Sequence, residues 1–525
     1  MTRRTHRLAA LLPLFAVLPA AAQGAPRTPP SLVVLISIDQ MRADYLDRFG
    51  GQLTGGLARL ARGGARYTNA HHDHAITETA PGHATLLAGR FPRSTGIAMN
   101  RVGVEDDSAL LIGGGIGTGA SPKRFIGTTL VDWLAAGDPR SRALSVSAKD
   151  RAAILPVGRS RTDVYWYSPN GRFTTSRYYR DTLPAWVIAF NARRMPMRYT
   201  HTSWKLLLPD TAYHERDSVA VEGNGTFFEF PHDFPEDSGA TASLVRGTPF
   251  IDDVTLAFAL NGLKELSLGS GPQTDVLSIS LSATDYIGHR YGPDSREIHD
   301  QVVRLDRTLG AFLDSLFTLR DSSRVTIALT GDHGVATIPE IAPSSVQPPP
   351  TRVTLWSLWP ALRDGLLAAK VDTMAVDIDV QIVNADRAAF AKAGVNADSV
   401  LRGFAAAARQ LPGVKRVDWF RDLPADTATD PIARRWSHQF PATAPIDLVV
   451  TLQPGSTWRG NIASHGSPYD YDTNVPLIFY GAGIVPGKHA EFVRTVDLAP
   501  TLAAVAGVKP LEKLDGVVLQ SAVRH

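Results

Sequence analysis

Cysteine is absent from the 525 residues. Its absence excludes disulfides, thiolate metal sites, a cysteine nucleophile and a lipidated N-terminal cysteine, and leaves packing and metal as the sources of stability outside a cytoplasm. No uninterrupted apolar run approaches the roughly 18 to 20 residues a membrane helix needs, so no span is expected. Basic residues do not gather into a block interleaved with aromatics, which argues against a nucleic-acid surface. The glycine-rich stretch "GGGIGTG", Gly113 to Gly119, lacks the lysine of a phosphate-binding P-loop and the βαβ frame of a dinucleotide site, and reads as a flexible loop. No internal repeat is visible.

What is present is ordinary for a globular protein: 44% hydrophobic and 20% charged residues, with a net charge of +3. The charge excess sits at the start, where Arg3, Arg4 and Arg7 precede an apolar run from Leu8 to Leu18 and the small residues Ala20, Ala21 and Ala22. Residues 1–22 are therefore expected to be a secretory signal peptide, which implies a periplasmic or secreted protein and a nearly neutral mature chain.

Short β-branched runs recur at Leu32 to Ile38, Leu144 to Ser147, Val276 to Leu281, Val325 to Leu329, Leu448 to Leu452 and Val475 to Tyr480. Helical patterns such as Ile298 to Leu316 and Val496 to Val505 lie between them. This alternation predicts an α/β fold, a mostly parallel central sheet flanked by helices on both faces. The core is expected to comprise 31–155, 249–342 and 440–525. Residues 156–248, rich in aromatics and prolines, are expected to form a capping insertion, and 351–430 a small α+β lobe.

In open α/β sheets ligands bind beyond the carboxyl ends of the strands. There, Asp39 follows the first run, Asp285 and His289 follow the third at i and i+4, and Asp332 and His333 follow the fourth. Oxygen and nitrogen donors of this kind suit zinc, and an i, i+4 pair can converge on one ion. His465 stands on a glycine-flanked loop as a further candidate. The stretch "TETAPGHATLLAG" admits two readings from its residues alone: a helix capped by Thr79 with Pro81 in its first turn, or a reactive hydroxyl at a helix start.

The series "ISIDQMRADY", "TETAPGHATLLAGRFP", "SATDYIGHRYG", "LTGDHG", "SHGS" and "RTVDLAPTLAAVAGV", in that order, resembles the alkaline phosphatase superfamily. The similarity is to its threonine-nucleophile branch, which holds nucleotide pyrophosphatase/phosphodiesterases and PafA-type periplasmic phosphatases. The resemblance implies two Zn2+ per chain, one on Asp285, His289 and His465 and the other on Asp39, Asp332 and His333 with the Thr79 oxygen. Two such metals can grip the attacking and leaving oxygens of an in-line displacement, and Thr79 would then be the nucleophile. The start of its helix would add backbone N–H groups facing the phosphoryl group. Thr77 and Thr85 are read as packing or capping residues, and His83 as hydrogen-bonded in the core and no ligand.

Monoesters carry one more charged oxygen than diesters, so their enzymes benefit from cations placed against it. "SAKDRAAI" puts Lys149 and Arg151 at i, i+2, a spacing that lets both face one way in an extended loop. The pair resembles the Lys-x-Arg element of the PafA-type monoesterases, and Asn100 resembles their phosphoryl-contacting asparagine. The expected function is hydrolysis of small-molecule phosphate monoesters through a phosphothreonine, with a phosphodiesterase or nucleotide pyrophosphatase as the nearest alternative. A sulfatase would need cysteine or serine at position 79. A cofactor-independent phosphoglycerate mutase conflicts with the leader, and a catalytically silent metal-binding protein conflicts with the full ligand set.

Overall fold

The computed structural model describes residues 28–423 and 429–524; the expected signal peptide lies outside them. A ten-stranded sheet organises the chain. From edge to edge its strands run Gly487–His489, Ala65–His71, Asn474–Gly481, Val325–Gly331, Leu32–Ile38, Asp275–Leu281, Ala143–Ser147, Asp163–Ser168 and Arg172–Thr174, with Val493–Arg494 paired beside Ala65–His71. The middle of the sheet is parallel.

Every residue of Leu32–Ile38 is buried, as the uninterrupted apolar run requires of a strand covered on both faces. Leu32, Val34, Ile36 and Ile38 point into one core with helices Phe250–Glu265 and Arg296–Leu319. Val33 and Leu35 point into a second core with helices Thr79–Leu86 and Leu498–Ala506. Each buried aliphatic side chain contributes about 1.5–3 kcal/mol, and the two-residue period distributes it to both layers.

Register sets the position of the chemistry. Ile38 lies level with Leu281 on one side and with Gly331 on the other. The next residues, Asp39, Ser282 and Asp332, therefore leave the sheet at one edge. Ser147 is level with Ser280, which brings Lys149 to that edge too.

Three expectations need correction. Asn474–Gly481 is antiparallel to both neighbours, so the sheet is parallel only across its middle; an apolar run does not encode strand direction. Within the expected capping insertion, Asp163–Ser168 pairs parallel with Ala143–Ser147 and extends the central sheet, its aromatics Tyr165 and Tyr167 packing into the first core. Much of the remaining insertion lies on the outer face of helix Arg296–Leu319, where Asp300 accepts from Trp204 Nε1 at 2.7 Å and from the Tyr213 hydroxyl at 2.6 Å.

The third correction concerns Leu448–Leu452, expected in the core. It instead joins Val376–Asp379, Ile382–Ala385 and Val414–Trp419 in the antiparallel sheet of the small lobe, which therefore runs past residue 430. Its alternate side chains fill the lobe's own core with Phe404 and Leu401. Buried Asp73 ties the lobe down, taking a bidentate contact from Arg434 at 2.9 and 3.1 Å. No helix among the described residues is long and apolar enough to cross a membrane.

Candidate active site

Asp39 and Asp332 are wholly buried at the ends of adjacent strands. His333 Nε2 lies 3.5 Å from Asp39 Oδ1 and 3.6 Å from Asp332 Oδ2. Helix Ala283–Tyr291 places Asp285 and His289 one turn apart, with His289 Nε2 at 3.3 Å from Asp285 Oδ1. His465 Nε2 approaches to 3.2 Å from His289 Nε2 and 3.7 Å from Asp285 Oδ1. Asp285, His289 and His465 thus converge, as do Asp39, Asp285 and His333. The His333 and His465 rings stack at 3.7 Å, so the two groups share a wall.

The donor atoms suit divalent metal. Backbone carbonyls hold Nδ1 of each imidazole: Ala463 O for His289 at 2.8 Å, Gly334 O for His333 at 2.9 Å and Thr77 O for His465 at 2.7 Å. Such bonds fix a tautomer in which Nδ1 carries the proton and the Nε2 lone pair points at the cage, as in metal-binding histidines. Asp39 Oδ1 and His333 Nε2 are buried without a hydrogen-bond partner, an arrangement costly unless a cation meets them.

The cage is also short of positive charge. Burial, then the Asp285 and Asp332 charges, push the Asp39 carboxyl well above the usual range. For Asp285 burial is outweighed by Lys149 and His289, which hold its carboxyl well below that range. Burial and the neighbouring His333 and His289 depress His465, keeping its imidazole neutral and able to ligate.

Thr79 is the first residue inside helix Thr79–Leu86 and not its cap; that position belongs to Glu78, in extended backbone, whose carboxylate accepts from Asn100 N at 2.7 Å. Its hydroxyl is therefore not consumed by capping. The expected row of free N–H groups is thinner than the sequence implies. Ala80 N donates to Asn100 Oδ1 at 2.8 Å, Pro81 has no N–H, and Gly82 N donates to Glu78 O at 2.9 Å. The same Asn100 bond anchors the amide oxygen and leaves the NH2 as the outward donor.

Gly82 explains the "APGH" turn. A Cβ there would stand 2.3 Å from Asp332 O, so only glycine lets the helix pass this close to the ligand strand. Thr77 donates to Ser467 O at 3.0 Å and Thr85 to Gly82 O at 2.7 Å. His83 Nδ1 lies 3.0 Å from Asp332 Oδ2 and Nε2 2.9 Å from Ser280 Oγ, so it braces a cage carboxylate from behind.

Lys149 and Arg151 do not share an extended loop. Lys149 is the extended residue before helix Asp150–Ile154, and Arg151 lies within that helix. The Lys149 ammonium stands 2.7 Å from Asp39 Oδ2 and 2.5 Å from Asp285 Oδ2, and these carboxylates raise its pKa against the effect of burial. Arg151 Nε is buried without a partner.

Two positioning contacts had no sequence signal. Gln439, from helix Pro431–Gln439, accepts from Ile76 N at 2.7 Å and donates to Ala98 O at 2.6 Å, pinning both arms of the segment that carries Thr79. Asp252 accepts from Ala283 N at 3.1 Å and so caps the ligand helix, whose own Ser282 makes no side-chain cap. Both act across long sequence separations, which no local pattern encodes.

Comparison with known proteins agrees with this arrangement. The family described as type I phosphodiesterase / nucleotide pyrophosphatase matches residues 33–359. The chain is 31% identical over 506 residues to alkaline phosphatase PhoV of Synechococcus elongatus, covering 91% of this chain and 90% of the relative. It is 30% identical over 508 residues to alkaline phosphatase PafA of Elizabethkingia meningoseptica, covering 91% and 92%. The crystal structure of wild-type PafA superposes with a TM-score of 0.86 at 28% identity, covering 96% of this chain and all of that one. The chain belongs to the type I phosphodiesterase/nucleotide pyrophosphatase family, on its branch of PafA- and PhoV-like alkaline phosphatases.

Proposed function

We propose that the protein is a zinc-dependent alkaline phosphatase that hydrolyses small phosphate monoesters through a covalent phosphothreonine at Thr79. The observation that carries the reading is the cage itself: three buried carboxylates and three imidazoles, each imidazole anchored through Nδ1, gathered beside Thr79 and Lys149.

Asp285, His289 and His465 would hold one ion, and Asp39, Asp332, His333 and the Thr79 oxygen the other. When bound, the ions supply Lewis-acid stabilisation of the attacking and leaving oxygens and make the threonine hydroxyl ionisable near working pH. Thr79 Oγ attacks phosphorus in line; its O–P bond forms as the bond to the leaving oxygen breaks, and the alcohol or phenol departs. Water then attacks the phosphothreonine, releasing phosphate and returning the hydroxyl. The Asn100 NH2, the Lys149 ammonium and the Arg151 guanidinium meet the non-bridging oxygens, which concentrates positive charge where a monoester dianion has most to gain.

The expected leader places the work in the periplasm or outside the cell. A quadruple variant of PafA has also been solved, substituted at a threonine, an asparagine, a lysine and an arginine. These are the residue types assigned here to Thr79, Asn100, Lys149 and Arg151.

The family description favours one other reading, a phosphodiesterase with the same metals and nucleophile. The ratio of kcat/KM for p-nitrophenyl phosphate to that for its methyl ester separates the two. A monoester preference is expected, and Lys149→Ala and Arg151→Ala should each lower it by about 10²–10³-fold, chiefly through the monoester rate. A diester preference untouched by either substitution assigns the protein to the diesterase reading.

A further inference from the structure

Gln40 follows the cage residue Asp39, is fully buried, and lies at φ 63°. A long side chain in this left-handed region is uncommon, and such backbone persists only where the surroundings over-determine it. Two bonds do so here. Gln40 N donates to Asp332 Oδ1 at 3.0 Å, and Gln40 Nε2 donates to Asp285 Oδ1 at 2.9 Å. The two carboxylates are assigned to different metal sites. One residue therefore grips a ligand of each, with its main chain on one and its side chain on the other.

The ligand helix is shaped to receive it. A Cβ at Gly288, between Asp285 and His289, would lie 1.8 Å from Gln40 Oε1, so glycine at this point is what lets the helix close over the amide. Right-handed backbone at position 40 would redirect both the N–H and the side chain, and neither bond would form.

Resting on the two-metal reading above, we infer that Gln40 is a positioning residue that sets the spacing of the Asp285 and Asp332 carboxylates and thereby couples the two metal sites. Its left-handed backbone is the structural cost of that coupling.

The test uses the full-length mature protein and compares Gln40→Gly and Gln40→Glu with the parent. Zinc stoichiometry and affinity are measured by competition with a chromophoric chelator, and the urea midpoint is measured on the zinc-stripped forms. Glycine tolerates the left-handed backbone but removes the amide. Gln40→Gly should keep or raise the urea midpoint while zinc affinity at the weaker site falls about 10- to 100-fold, the usual effect of losing a residue that orients a ligand. Gln40→Glu keeps the length but turns a donor into an acceptor facing Asp285, and should lose more affinity. Parental zinc affinity in both variants overturns the inference, as does an affinity loss that only tracks a lower urea midpoint. If the parent itself binds fewer than two zinc ions, the two-metal reading fails first and the inference with it.

Discussion

Replacing Gly82 by alanine adds one methyl group at the point where the nucleophile helix crosses the Asp332 strand end. The new Cβ would lie 2.3 Å from Asp332 O, 2.8 Å from Asp332 Cβ and 3.0 Å from Asp332 C. All are atoms of one residue, two of them backbone, so no flexible side chain can yield. An ordinary carbon–oxygen contact is about 3.3 Å or more, so the helix and Asp332 must separate by about 1 Å. Overpacking of this kind costs about 1–3 kcal/mol of stability. The kinetic cost is larger, because the displacement falls between the Thr79 hydroxyl and a cage carboxylate, and a misplacement of about 1 Å can lower turnover about 10²-fold. Steady-state hydrolysis of p-nitrophenyl phosphate by zinc-saturated Gly82→Ala should therefore show kcat reduced by about two orders of magnitude in a folded protein. Gly403→Ala is the control: a Cβ there meets nothing within 4 Å, and activity should be parental. Gly82→Ala activity within threefold of the control would refute the close-approach reasoning.

Gln439→Ala leaves Ile76 N and Ala98 O buried without partners, which should cost about 1–3 kcal/mol for each in urea unfolding and lower kcat by loosening the Thr79 segment. For Asp73, burial is outweighed by His438 and Arg434, which hold its carboxyl below the usual range. A depressed folded pKa gives stability that is present above the unfolded value of about 3.9 and lost below it. Asp73→Asn should thus be less stable than the parent at pH 7, with the difference shrinking as pH falls through about 4 in urea titrations. Burial, then Glu297 and Asp217, push Glu222 up to about 9. A carboxyl raised in the folded state makes stability fall with rising pH between its unfolded value of about 4.3 and that folded value, so Glu222→Gln should gain on the parent across this window in urea midpoints.

Much of the site was readable because strand ends carry chemistry in a parallel sheet. Asp39, Asp285 and Asp332 each follow an apolar run, and the level register of Ile38, Leu281 and Gly331 turns three separated motifs into one edge. Direction and partnership of strands were not readable. Leu448–Leu452 is as apolar as a core strand yet pairs within the small lobe, because periodicity reports burial and not which sheet supplies it. The aromatic stretch at Asp163–Ser168 lacks apolar–polar alternation because both faces are covered, and so looked irregular. Thr79 resembled a cap because threonine often is one, whereas the cap position is held by Glu78. Gln40 and Gln439 act through single contacts across at least 245 and 341 residues respectively, with no pattern to mark them.

The most direct test of the central claim is to trap the intermediate. Zinc-loaded protein is mixed with a labelled phosphate monoester, quenched in acid within one turnover, digested, and the phosphopeptide sequenced by mass spectrometry. The account predicts phosphate on Thr79, absent in Thr79→Ala, with the variant's turnover reduced to background. Turnover by Thr79→Ala at a rate near the parent's, or a label on any other residue, would contradict it.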